Sequence, residues 1–426
     1  MRAPALRAAV LAALLALAAT NAPEDAARPV FLSDSQATYA ELEQWQRQAG
    51  QCQVDLPDRQ RRQQWQALQQ AVRLDCQARP GQRRCQRNRL ALDSARGQPI
   101  ATRCEALRSS LRPREFLRRV EAVYGPELPG VPWPRVGMLR TGDANAAAFR
   151  LPGDAAPLIL WNPDLGAFHA EVLRVVFSLM PFELGAAASH FQFSTQHIGQ
   201  RLAQNPALAA HFKQLVHRVA LAVPLGLDGT HDGFTAPPAG QFTGEAHERV
   251  VTALADEGLH FLLAHEMAHA IRGDTGFDAQ AFLDDPVSRQ GVTRIVRQID
   301  QELSADAVGL KIWVRTLAHG DFDADIAALL SLAPELMLVS IRLVEAERER
   351  LRKPRAVTHP PFSLRRETLR DTFRAMGFPF PAQVADTGQL YLLTALFAWA
   401  LLNEQSTADF ARLVADSDLQ DLAVRR

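Results

Sequence analysis

The sequence predicts a mostly helical α+β chain. A small antiparallel sheet and a buried central helix follow a disulfide-bonded helical hairpin. Three observations predict this. The run Leu259–Asp274 is apolar almost throughout, interrupted mainly by a His-Glu-x-x-His cluster, so it reads as a helix buried on most sides. The segments Pro134–Leu139, Ala146–Leu151 and Leu158–Trp161 read as short strands separated by Gly and Asp turns. All four cysteines fall between Cys52 and Cys104, around a Gln- and Arg-rich helical pattern.

In chain order, residues 1–22 read as a secretory signal. Arg2 and Arg7 open it, Ala8–Ala19 is apolar but too short to span a bilayer, and Ala16-Leu17-Ala18 offers small residues for cleavage. The expectation is a periplasmic or secreted protein. The apolar runs Leu390–Leu402 and Ile326–Val344 are not read as spans. The first is too short, and the second carries Glu335 and Arg342. No transmembrane span is therefore expected in the mature chain.

Residues 23–112 form the expected Cys-containing helical domain. Helical patterns over Arg59–Gln77 and Arg83–Ser94 flank the turn Arg79-Pro80-Gly81. Four cysteines allow three connectivities. The hairpin favours nested bridges, Cys76–Cys85 across the turn and Cys52–Cys104 across the ends. The bridges would compensate for a core too small to hold alone. With 44 Arg, three Lys and a formal net charge of +0, the chain has no overall basic field, so a nucleic-acid partner is not expected. The Arg-rich surface of this domain reads as solvated, with peripheral contact to anionic lipid headgroups as the alternative.

Residues 113–426 form the expected catalytic domain. Gly226–Gln241 is its most loop-like stretch and a candidate lid. Within the central helix, His265 and His269 lie one turn apart, so both imidazoles reach one metal ion. Gly273 supplies the stop. Glu266 occupies the usual place of the carboxylate that activates a metal-bound water. A second helical pattern, Gln301–Trp313, puts Glu302 and Asp306 on one face. Glu302 completes a two-His, one-Glu set with the fourth position left to water, the arrangement of catalytic zinc. Asp306 is placed to accept the free ring N–H of a ligand histidine. A third histidine in the metzincin position is excluded, because Thr275 stands there, and the cysteines lie far upstream.

His265-Glu266-Met267-Ala268-His269 followed by Glu302-x-x-x-Asp306 resembles the gluzincin zinc metallopeptidases. Thr358-His359-Pro360-Pro361, with Arg365 six residues after the His, is similar to the branch containing the CAAX prenyl proteases, the heat-shock membrane proteases and their soluble periplasmic relatives. Asn145-Ala146-Ala147-Ala148-Phe149 resembles that branch's Asn-Ala-Phe-Ala strand. The resemblance implies a zincin-like metallopeptidase domain and a polypeptide substrate whose backbone pairs with an edge strand. It also implies that His359 or Arg365 either stabilises an oxyanion or braces the site. The expected function is zinc-dependent endopeptidase activity on polypeptides of the cell envelope, with Glu266 as general base. A non-catalytic or chaperone-like binding protein on a zincin scaffold is the alternative.

Overall fold

A computed structural model describes residues 36–48, 58–78, 102, 104–105, 107–128, 133–139, 146–149, 156–179, 182–184, 189–191, 206–221, 245–274, 292–319, 329–351 and 360–377. The expected signal segment, the second arm of the expected hairpin, the expected lid 226–241 and the apolar run 390–402 lie outside the described residues. Cys76 and Cys104 each take part in a disulfide. The expected pairing also involves Cys52 and Cys85, which lie outside them too. No helix among the described residues is long and apolar enough to cross a membrane.

The described residues are mostly helical. Helices α1 (Gln36–Gln48), α2 (Asp58–Ala78) and α3 (Leu107–Tyr124) precede strands β1 (Arg135–Met138), β2 (Ala146–Phe149) and β3 (Leu158–Trp161). Helix α4 (Pro163–Leu179), the strand pair β4 (Phe182–Leu184) and β5 (Ser189–Phe191), and α5 (Pro206–Ala220) follow. The chain continues through α6 (Glu245–Arg272), α7 (Val292–Ala318), α8 (Ala333–Arg350) and α9 (Phe362–Ala375).

The three expected strands form, but their sheet is mixed, not antiparallel. Its order is β1-β3-β2, with β1 parallel and β2 antiparallel to β3. Three short strands in succession read naturally as a meander. Here β3 inserts between its predecessors, and its side chains Leu158, Ile159, Leu160 and Trp161 are all buried, with cover on both faces of the sheet. The alternation of period two sorts the strands cleanly. Val136, Met138, Ala146, Ile159 and Trp161 join the main helical core. Leu139, Phe149, Leu158 and Leu160 point the other way, where Leu42 of α1 completes a second cluster beside Trp45. Helix α1, which the sequence assigns to the Cys-containing region, thus shares a core with the sheet.

The same region also covers one sheet edge. The N–H groups of Arg135 and Leu139 turn inward, to Pro157 O at 2.8 Å and Trp161 O at 2.9 Å. Those of Met138 therefore turn outward. Glu105 Oε1 accepts the Met138 N–H at 2.7 Å, and Gln46 Nε2 donates to the Met138 carbonyl at 2.5 Å. Side chains do here what a further strand would otherwise do. Burial raises the Glu105 pKa, against the lowering effect of these hydrogen bonds.

On the other face, α6 is the axis of the molecule. It packs against α3, α4, α7 and α8 and touches β2 and β3. Its residues from Glu257 to Ala268 are all buried. Where α4 and α8 meet, fully buried His169 sets Nδ1 2.7 Å from Ser340 Oγ, which itself donates to Leu336 O at 3.2 Å. Nδ1 is therefore the donor, and Nε2 has no hydrogen-bond partner among the described residues. Burial lowers this imidazole to about 3, so the folded chain keeps it neutral.

Between the ordinary histidine value near 6.5 and about 3, the unfolded chain binds a proton at His169 that the folded chain does not. Stability contributed by this group is complete above about 6.5 and declines as pH falls, by at most about 1.4 kcal/mol per pH unit. In chelator-containing buffer, a His169→Gln variant should lose less unfolding free energy than the wild type on acidification through this window. Identical slopes in denaturant titrations would refute the assignment.

Candidate metal centre

The centre lies where α6 and α7 cross. Helix α6 stops in a Schellman cap: Gly273 adopts φ +74°, its N–H donates to Ala270 O at 3.3 Å, and the Asp274 N–H donates to His269 O at 3.0 Å. The expected glycine stop is therefore in place. Upstream of the cap, His265 and His269 sit on one face, with ring centroids 4.8 Å apart in an edge-to-face arrangement.

The approach of α7 depends on one residue without a side chain. A Cβ at Gly309 would lie 2.7 Å from both the Cα and the N of His265. No real Cβ contact is that short, and backbone cannot move aside as a flexible side chain does. The helices therefore touch backbone to backbone at this point. Glu302 and Asp306, seven and three positions earlier on α7, are carried onto the histidines from there.

Three side chains converge on one point. The His265 and His269 Nε2 atoms are 3.2 Å apart, and each lies 3.3 Å from an oxygen of Glu302. These groups form a set that could hold a metal ion. The imidazoles face different oxygens of the one carboxylate, His265 facing Oε2 and His269 facing Oε1. One donor atom from each residue lies within 4.8 Å of the others, a two-His, one-Glu donor set of the kind that binds zinc at about 2.0–2.1 Å.

The ring nitrogens on the far side are engaged as well. His265 Nδ1 lies 2.9 Å from Asp306 Oδ1. Asp306 is fully buried, and Arg365 grips it from α9 with two bonds, Nε to Oδ2 at 2.8 Å and Nη2 to Oδ1 at 2.7 Å. Burial alone would raise the Asp306 carboxyl, but Arg365 and His265 outweigh it and hold the pKa below the ordinary value. Burial likewise disfavours charge on His265, yet Asp306 and Glu302 raise it to about 10. The field that favours a proton on this imidazole favours a metal cation beside it for the same reason.

The structure brings together His265, His269, Glu302, Asp306 and Arg365. Arg365 enters through the first turn of α9, whose N-cap is Pro361. It is 5 % exposed, and Asp306 occupies its guanidinium. Glu266 is also 5 % exposed and is tied to no cation among the described residues. His359 lies outside the described residues.

The sequence did not single out Gly309, Arg272 or Asp274. Asp274 Oδ2 lies 3.4 Å from His269 Nδ1 and accepts from Arg272 Nε at 3.0 Å. Arg272 Nη1 also donates to Ser304 Oγ on α7. A glycine stop followed by Asp was the available signal for Asp274. Gly309 gave none, since a glycine within a helical pattern does not announce which backbone approaches it.

No protein-family model, curated protein or solved structure matches this chain.

Gly309→Ala should force α7 away from His265 and separate Glu302 from the histidines. The expected result is substoichiometric metal by elemental analysis of the purified variant. Full metal content with unchanged affinity would show that the crossing tolerates a Cβ.

Proposed function

We propose that the protein is a zinc-dependent endopeptidase acting on polypeptides of the cell envelope. The observation that carries the reading is the convergence of two imidazole nitrogens on the Glu302 carboxylate, with both histidine Nδ1 atoms turned to carboxylates. Two His and one Glu are the donors of catalytic zinc sites that keep an open position. The gluzincin resemblance of the same residues and the signal-like start of the chain support the peptide substrate and the compartment.

Zinc, when bound by His265, His269 and Glu302, supplies a Lewis acid that polarises a carbonyl and lowers the pKa of water toward neutrality. Glu266 takes the proton of the attacking water and delivers it to the leaving amine. Its carboxylate suits that work because it is buried beside His265 and not neutralised by a cation among the described residues. Asp306 holds the His265 tautomer that leaves Nε2 as ligand, and Arg365 keeps Asp306 ionised and aimed. Arg365 is therefore assigned to bracing: stabilising an oxyanion would require it to leave a buried bidentate pair, and breaking such a pair costs about 3–5 kcal/mol. The substrate lies extended along β2, the sheet edge that touches α6.

Two substitutions test this reading against a casein or peptide-library digest. Glu266→Gln should retain stoichiometric zinc and lose turnover by at least about a hundredfold, the usual worth of a positioned general base. Full activity in that variant would sink the mechanism. Glu302→Ala should lose both metal and activity, and a normal zinc content would exclude Glu302 as a ligand. A chain that only binds partners on the same scaffold would show no chelator-sensitive hydrolysis.

A further inference from the structure

We propose that Asp274 is a positioning residue for His269, delivered to that imidazole by the glycine cap that ends α6. The inference rests on the metal-site reading above and adds a residue to it. In a Schellman cap the second residue beyond the helix folds back over the last turn, commonly to make an apolar contact there. Here the two bonds of the cap make Asp274 that residue and His269 its partner. The contact is a carboxylate against a ring nitrogen, at 3.4 Å.

The cap is built for this placement. Gly273 has nothing within 4 Å of where a Cβ would stand, so its glycine serves the backbone angle and not packing. Arg272 fixes the carboxylate from the side, with Nε 3.0 Å from the same Oδ2 atom that faces His269. Its bond to Ser304 ties the cap to α7, two residues beyond Glu302. The turn that ends one ligand helix is thereby joined to the helix that brings the third ligand. The side chains of His269 and Asp274 are 13 % and 12 % exposed, enough cover to keep the pair from being fully screened by water.

The chemical consequence is a fixed ring. Neutral imidazole has two tautomers and can turn about its side-chain bonds. A carboxylate at Nδ1 selects the tautomer with its proton there and points Nε2 toward Glu302 and His265. Asp306 does this for His265 from a second helix, and Asp274 does it for His269 from the same helix's own stop. Outer partners of this kind are worth about 10–100-fold in metal affinity.

The test is zinc affinity, measured by competition with a chromophoric chelator on the full chain, alongside thermal unfolding in excess chelator. Asp274→Ala should weaken zinc about 10–100-fold while the chelated variant melts as the chelated wild type does. Asp274→Asn, which keeps an acceptor oxygen in place, should recover most of the lost affinity. Wild-type affinity in Asp274→Ala, with Glu302→Ala still deficient, would overturn the role of Asp274 and leave the metal site standing. Equal losses in melting temperature and affinity that Asn does not restore would instead make Asp274 a structural cap. A wild-type chain that binds zinc no better than Glu302→Ala would overturn both proposals.

Discussion

The centre depends on a helix crossing with no side chain in it. At Gly309 the backbone of α7 lies against the backbone of α6 at His265. Helices normally stand 8–10 Å apart, kept there by the side chains between them. Removing the Cβ at one contact lets carboxylates on α7 reach imidazoles on α6 with their ordinary lengths. Everything at the site follows from that distance. Glu302 meets both Nε2 atoms, Asp306 meets Nδ1 of His265, and Ser304 comes within reach of the α6 cap.

The close crossing also creates an electrostatic problem. Asp306 is fully buried, and an unpaired carboxylate at that depth would protonate or destabilise the fold. Arg365 answers this with a planar, bidentate grip that a lysine could not reproduce. It reaches the site because Pro361 starts α9 beside α7 and puts Arg365 in the first turn. Such a pair adds little net stability over an apolar substitute. Its value here is orientation: the chain Arg365–Asp306–His265 passes a fixed direction from α9 to the ring that presents Nε2.

The sheet beside α6 is treated unequally at its two edges. Gln46 and Glu105 cover the outward N–H and C=O of Met138 on β1, and Leu42 closes the face below. The edge formed by β2 lies next to α6. One edge is covered by the N-terminal part of the chain, and the other lies against α6.

Local periodicity made much of this legible. The spacing of His265 and His269 implies a shared helix face. Glu302 and Asp306 share another, Gly273 marks the stop, and the three strands fall close to where β-formers and turns place them. Those features depend on neighbours within about one turn or one hairpin, so they are written in consecutive residues. Tertiary structure alone decided the mixed strand order, the docking of α1 beneath the sheet, the grip of Arg365 on Asp306, and the contact at Gly309. Each joins residues far apart in the chain. Their partnership comes from which buried faces need cover and which charges need neutralising once the helices have packed. Asp274 stands between the two cases: its turn is local, but its meaning comes from the ring it folds back upon.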